Sequence, residues 1–332
     1  MIPVQKLVAT LILTLRYIYG AECPAWAEEI SCPHRQEESS TVQRQGEQEK
    51  YEQVYQPHAC ELHPWDAHGF GKCLANRRLI LIGDSLMRQM FQSLACLLSP
   101  VTLTEHASNW SSTSSTGRLD YPMPGYPGKY VSKQFWGDIS LSSGANVHAR
   151  IFGSFSGVLL EDLLAEMPPL TQDDVIITNF GAWYPRFVKQ DGEVVVSSLY
   201  KRFERDMADL MRVLRDTPAQ ILWRSYAPTH FGGESGAYVS GEEYQEGCKP
   251  ASEGEVWYDQ WLVDYLRSCG AKCDRVHMLP IFQLSLTKHD SHLGSLGSKA
   301  SVGSQSDCRH WCSNVLHTWN QVLYNKLCYL TQ

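Results

Sequence analysis

Arg77-Arg78-Leu79-Ile80-Leu81-Ile82-Gly83-Asp84-Ser85-Leu86 is an apolar run that enters a Gly-Asp-Ser turn, with a helical pattern following at once. Leu79 to Ile82 are four consecutive apolar residues, the mark of a strand covered on both faces, as in a parallel sheet between two helical layers. Gly83 permits a sharp turn that a side chain would block. Beyond it, Leu86, Met90, Leu94 and Leu98 recur at every fourth position with Met87, Phe91 and Ala95 beside them. One helix stripe therefore faces a core, and Arg88, Gln89, Gln92 and Ser93 take the opposite face. Ser85 is expected at a helix N-terminus on the carboxyl edge of the sheet, where free backbone N–H groups can stabilise developing negative charge. Such a turn presents a nucleophilic serine in many parallel-sheet hydrolases. It is also the composition of a plain helix start, because Asp and Ser are favoured N-caps.

A serine hydroxyl is a poor nucleophile near neutral pH, so the catalytic reading requires a base held by a carboxylate. Ser306-Asp307-Cys308-Arg309-His310-Trp311-Cys312 places an aspartate and a histidine three residues apart, with two half-cystines to fasten the loop. An amphipathic helix follows, carrying Val315, Leu316, Trp319, Val322, Leu323, Leu327 and Leu330. Lys288-His289-Asp290-Ser291-His292 carries a further imidazole, His292, two residues after Asp290.

The rest of the chain supports an α/β class. Candidate strands at 77–83, 149–152, 175–179, 220–225 and 276–279 alternate with helical patterns such as 200–215, where Phe203, Met207, Leu210, Met211 and Leu214 share a face. That alternation predicts a parallel sheet with helices on both sides. The 332 residues suffice for one large domain, or a large lobe with a smaller one. The net charge of −7 and the lack of a dense Lys/Arg stripe argue against a nucleic-acid partner. No Walker loop or Gly-x-Gly-x-x-Gly fingerprint is present, so no bound cofactor is expected, and no metal.

Residues 1–27 read as a secretory signal, with Ala25-Trp26-Ala27 or Gly20-Ala21 as the cleavage site, or as a signal anchor if the apolar run extends past Arg16. Residues 28–56, poor in apolar side chains, read as a disordered stalk ahead of a folded body at 57–332. Eleven cysteines fit a secretory lumen, and loss of Cys23 with a signal leaves an even ten. Disulfides are preferred over a zinc site built from Cys269/Cys273 and Cys308/Cys312, and their pairing is open. Asn109-Trp110-Ser111 is a lone glycosylation sequon.

Four blocks in order resemble the trichome-birefringence-like family, plant and algal polysaccharide O-acetyltransferases within the wider GDSL/SGNH esterases. They are Gly83-Asp84-Ser85-Leu86-Met87-Arg88-Gln89, Thr178-Asn179-Phe180-Gly181-Ala182-Trp183-Tyr184, Trp223-Arg224-Ser225-Tyr226-Ala227-Pro228-Thr229-His230-Phe231, and Asp307-Cys308-Arg309-His310-Trp311-Cys312 with His317-Thr318-Trp319-Asn320. The resemblance runs from about Cys60 to Cys328, with Ala182 standing where the family has His. It implies an SGNH-hydrolase-like three-layer α/β/α sandwich with a central parallel sheet and a smaller irregular lobe, stapled by disulfides, in the Golgi lumen or secreted.

The resemblance further implies an acetyl group moved to a glycan hydroxyl through Ser85, with His310 as base and Asp307 as its orienter; His292 with Asp290, in a stretch similar to the family's Asp-x-His segment, is the rival base, and His310 is preferred because the family's triad falls on the later block. Ser85, Asn179 and Gly181 are then the oxyanion donors, although Asn179 equally suits a strand-end turn. Arg88, Trp183, Tyr184, Arg224 and Trp311 are candidates for substrate contact, with Trp223 and Tyr226 as further aromatics; Arg88 also reads as a solvated helix residue. The partners are a polysaccharide acceptor and an acetyl donor such as acetyl-CoA. A carbohydrate acetylesterase using the same three residues, and a non-catalytic glycan-binding wall protein, are the competing functions.

Overall fold

The computed structural model describes residues 62–109, 121–122, 130–131, 133–152, 155, 157–232, 236–240, 247–251, 257–296 and 307–329. The expected leader, anchor and stalk at 1–56, Cys23, Cys32, Cys60 and most of the serine-rich stretch after the sequon lie outside them. Among the described residues no helix is long and apolar enough to cross a membrane.

The quoted apolar run is β1 (Arg78–Gly83), the central strand of a seven-stranded sheet. Its residues alternate between two cores: Leu79 and Leu81 enter one, Ile80 and Ile82 the other. This is why four apolar residues stand in a row. The helix after the turn is α2 (Ser85–Leu98), preceded by the short α1 (Ala67–Cys73). Along the chain follow β2 (Thr102–Asn109), β3 (Lys133–Leu141), β4 (Asn146–Phe152), α3 (Gly157–Glu166) and β5 (Val175–Asn179). The hairpin β6 (Phe187–Gln190) and β7 (Glu193–Val196) comes next, then α4 (Ser198–Arg215), β8 (Gln220–Arg224) and the two-residue β9 (Val239–Ser240). Helix α5 (Trp257–Cys269), β10 (Val276–Leu279) and α6 (Ser313–Cys328) complete the fold.

The sheet order is β10-β8-β5-β1-β4-β3-β2. The five strands from β10 to β4 are parallel and are those expected from sequence. The sheet is not wholly parallel, however: β3 and β2 extend it antiparallel on one edge. Helices α1, α2 and α6 cover one face and α3, α4 and α5 the other, giving the three-layer sandwich. The smaller lobe is a second sheet of order β9-β6-β7, whose hairpin turns at Asp191 and Gly192, both with positive φ. A two-residue turn of that shape matches the strand twist, and Asp-Gly is its favoured sequence.

Every described cysteine is disulfide-bonded. Cys73 pairs with Cys328, Cys248 with Cys308 and Cys269 with Cys273, while Cys96 and Cys312 are bonded as well. The zinc alternative is thereby set aside. Arg78 reaches Asp174 with both Nε and Nη2, which ties the start of β1 to the start of β5.

The stripe of α2 from Leu86 to Leu98 is buried as expected, but its opposite face is not free: Gln89 and Ser93 are buried too. The reason is α6, which packs along that side and whose Asn320 amide donates to Met90 O and Ser93 Oγ. Gly83 also differs from its sequence reading. Its φ is not in the left-handed region; a Cβ there would lie 2.5 Å from Asn179 O and 2.9 Å from Met87 Cβ. The constraint is space between two backbones, so Gly83→Ala is expected to lower stability by about 1–3 kcal/mol through overpacking, measured by urea denaturation.

Candidate active site

Asp84 is the N-cap of α2, with extended backbone, and Ser85 is the first residue of the helix. The two readings of this turn are therefore compatible. Asp84 Oδ1 accepts from Leu86 N at 3.0 Å, and its Oδ2 accepts from Ala182 N at 3.2 Å, so one carboxylate joins the Ser85 turn to the turn after β5. Asp84 is wholly buried. Burial pushes its carboxyl above the usual range, opposed by the nearby Arg224 charge and by the two backbone donors.

His310 arrives from the far end of the chain. Its Nε2 lies 2.8 Å from Ser85 Oγ, and its Nδ1 lies 2.7 Å from Asp307 Oδ2. Asp307 Oδ1 accepts the backbone N–H of Arg309 and of His310. Burial alone would raise the Asp307 carboxyl, but the hydrogen bond and charge of His310, with the two backbone donors, bring it down to about 2. An ionised Asp307 places the imidazole hydrogen on Nδ1, which leaves Nε2 as acceptor for the Ser85 hydroxyl.

The loop is held by its neighbours. Trp311 N donates to Gln89 Oε1 and Gln89 Nε2 donates to Trp311 O, each at 3.1 Å. Trp311 also bridges antiparallel to His292, and Gly294 N, Leu293 N and Cys312 N bond to Asp307 O, His310 O and Ser291 O respectively. His230 N donates to Cys308 O, beside the Cys248–Cys308 disulfide. Gln89 is the positioning residue that sequence reasoning assigned to solvent. Its sequence signals are the one-turn spacing from Ser85 and its place at the end of the Gly83–Gln89 block.

Of the expected oxyanion donors, the Ser85 N–H bonds to no described residue. Asn179 Nδ2 gives one hydrogen to Arg224 O, at 2.7 Å, and keeps a second. Gly181 needs correction, because its N–H is committed to Asn179 Oδ1 at 2.7 Å and does not point to the serine. The expected substrate contacts need more. Tyr184 is buried, with its hydroxyl on Asp206, and Arg224 and Trp311 are fully buried. Burial pushes the Arg224 guanidinium below its usual range, and it lies 5.1 Å over the Trp319 ring. Trp223 and Tyr226 are core residues as well. Trp183 alone among these aromatics is exposed, at 39%. Arg88 is half-buried over the Phe135 ring at 4.9 Å. The alternative base is displaced: His292 is fully buried with its Nε2 on His230, and Asp290 is an exposed residue that accepts from Ser291.

A profile of the PC-esterase family, described as a GDSL/SGNH-like acyl-esterase family found in Pmr5 and Cas1p, matches residues 62–326. Similar curated proteins include Xylan O-acetyltransferase 14 of Oryza sativa subsp. japonica, 23% identical over 93% of this chain and 75% of that protein. Protein trichome birefringence-like 41 of Arabidopsis thaliana is 26% identical over 92% of this chain and 85% of its own length.

Two outcomes are expected. The Asp307 carboxyl is lower folded than unfolded, so its contribution, about 2 kcal/mol, is present above about pH 4 and is lost as pH falls through about 2. Asp307→Asn should flatten that part of the stability profile, followed by urea denaturation at each pH. Gln89→Leu leaves the Trp311 N–H and C=O buried without their partners and should cost about 2–4 kcal/mol, measured the same way.

Proposed function

The chain belongs to the PC-esterase family of acyl-transfer enzymes, and from that membership we propose that it is a serine-dependent O-acetyltransferase acting on a polysaccharide. The observation that carries the proposal is the unbroken contact from Ser85 Oγ through His310 to Asp307. His310 Nε2 takes the hydroxyl proton as Ser85 Oγ attacks the acetyl carbonyl carbon of the donor. Asp307 holds the tautomer and offsets the imidazolium charge. The tetrahedral oxyanion is met by the Ser85 N–H and by the second hydrogen of the Asn179 amide, and one such donor contributes about 2.7–4 kcal/mol.

Collapse expels the donor's leaving group, which His310 protonates, and an acetyl ester remains on Ser85. A glycan hydroxyl then enters, gives its proton to His310, and attacks the acyl carbon; Ser85 is regenerated as the proton returns to its oxygen. Trp183, exposed beside the Asn179 turn, offers a ring face to a sugar, and Arg88 offers a cation one turn from Ser85. The acceptor is a polysaccharide of the xylan type, as the names of two relatives suggest. The acetyl donor is an activated ester such as acetyl-CoA. The disulfides favour a secretory lumen, reached by way of the N-terminal leader or anchor.

Hydrolysis by the same residues is the second reading. It is favoured by the exposure of the His310 side chain, 29%, which admits water to the acyl-enzyme. Incubation with acetyl donor and bare glycan, against acetylated glycan alone, separates the two. Ser85→Ala should lower either activity by at least about three orders of magnitude. Mass spectrometry of the wild type with donor and no acceptor should find an acetyl group on the Ser85 peptide; its absence under turnover conditions would sink the acyl-enzyme.

A further inference from the structure

Behind the His310 loop lie two more imidazoles, His230 and His292, both fully buried. The acyl-transfer scheme gives them no part. Three contacts run through them in series. His230 Nε2 is 2.6 Å from Leu286 O, His230 Nδ1 is 2.7 Å from His292 Nε2, and His292 Nδ1 is 3.1 Å from His310 O.

The hydrogens can be counted. Both outer partners are carbonyls, which only accept, so both outer nitrogens need a hydrogen; the inner pair needs one between them. Three are required, and two neutral imidazoles supply two. A neutral pair must therefore leave one contact unmade. The omission that costs least is the longest, at His310 O, because that carbonyl already accepts from Leu293 N at 3.0 Å. In this state His292 carries its hydrogen on Nε2, toward His230, and turns a bare Nδ1 lone pair to His310 O. One proton taken from solvent at His292 Nδ1 completes the series and leaves the pair singly charged. A second proton is refused, since the inner contact would then oppose N–H to N–H.

We propose that His230 and His292 are positioning residues for His310, a brace whose grip on the His310 carbonyl is closed by uptake of a single proton. The proposal rests on the reading of His310 as the base. The groups acting on the pair are His289 and Asp290 from the preceding turn, and Asp307 and His310 from the catalytic loop. The Trp311 ring lies 3.8 Å from His292, centroid to centroid, which suits a charged imidazole. Burial dominates: it lowers His230 to about 4 and His292 well below its usual value. The brace therefore closes on the acid side of neutrality. Once closed it holds the His310 carbonyl from a second N–H, and with it the loop that carries the imidazole.

Nitrogen-15 NMR of the histidine side chains in the full chain, from pH 3 to 8, tests this directly. One proton should enter the pair below pH 6, with His292 Nδ1 passing from bare to protonated. Independent uptake by both rings, or an Nδ1 hydrogen present throughout, would overturn the proposal. The same titration in Ser85→Ala protein needs no activity, so failure of the brace is separable from failure of the acyl-enzyme, which the acetyl-trapping experiment reads alone. Assayed at acid pH, where the brace is closed, His292→Leu should lower kcat about tenfold with KM nearly unchanged, a misplacement effect. His292→Asn keeps an untitratable N–H near Nδ1 and should recover most of that loss, with the acid step gone from the kcat profile. Wild-type kcat and pH profile in His292→Leu would equally overturn it. Should His292→Leu fail to fold, the wild-type titration decides.

Discussion

Gln89 and the Trp311 backbone exchange two hydrogen bonds across 222 residues of chain, and the candidate site depends on that closure. Ser85 is placed by β1 and α2, which are local in sequence and held by two cores. His310 has no such support of its own, since it sits on a loop. A side-chain amide that both donates to and accepts from one peptide unit fixes the loop in register with the helix, because only one residue of the loop can satisfy both atoms at once. The bridge between His292 and Trp311, and the Cys248–Cys308 disulfide, hold the loop from its other side. Ser85 and His310 can then meet at 2.8 Å without contributing to the closure themselves.

A second constraint lies beneath the serine. Asp84 is buried, caps α2 and reaches across to Ala182, so the turn that presents Ser85 and the turn that carries Asn179 share one carboxylate. The Arg224 guanidinium, itself fully buried, supplies the strongest opposing charge. Buried groups of this kind are expensive to desolvate and are held only where the surrounding bonds fix their geometry. Here they fix two turns of the sheet edge relative to each other.

The central five strands were legible because residues buried on both faces must be apolar throughout. The two antiparallel strands were missed for opposite reasons. In β2 most side chains from Leu103 to His106 are exposed, so little apolar signal exists; in β3, Phe135, Ile139 and Leu141 do alternate with polar residues, but Gly137 and Trp136 interrupt the pattern. The hairpin has its sequence signal in Asp191-Gly192 and the flanking valines. For the site, the motifs single out Ser85, Asp307 and His310, and the first two each contact His310, whereas which aromatic faces solvent was illegible. Tryptophan and tyrosine serve core and surface alike, and only packing separates Trp183 from Trp223 and Trp311. Gln89 was hidden for a similar reason, since its partner is distant in sequence and a glutamine between helical turns reads as wetted.

The covalent link from Cys73 to Cys328 spans 255 residues and encloses β1, the serine turn and the His310 loop. The folded body is in effect a ring with two short tails. A protease that cuts a connecting segment between Ser85 and His310 leaves two pieces joined through the Cys73–Cys328 bond, so Ser85 and His310 stay tethered and can re-dock. Cleavage that would scatter an unlinked fold leaves this one joined, and its vulnerability passes to reductants.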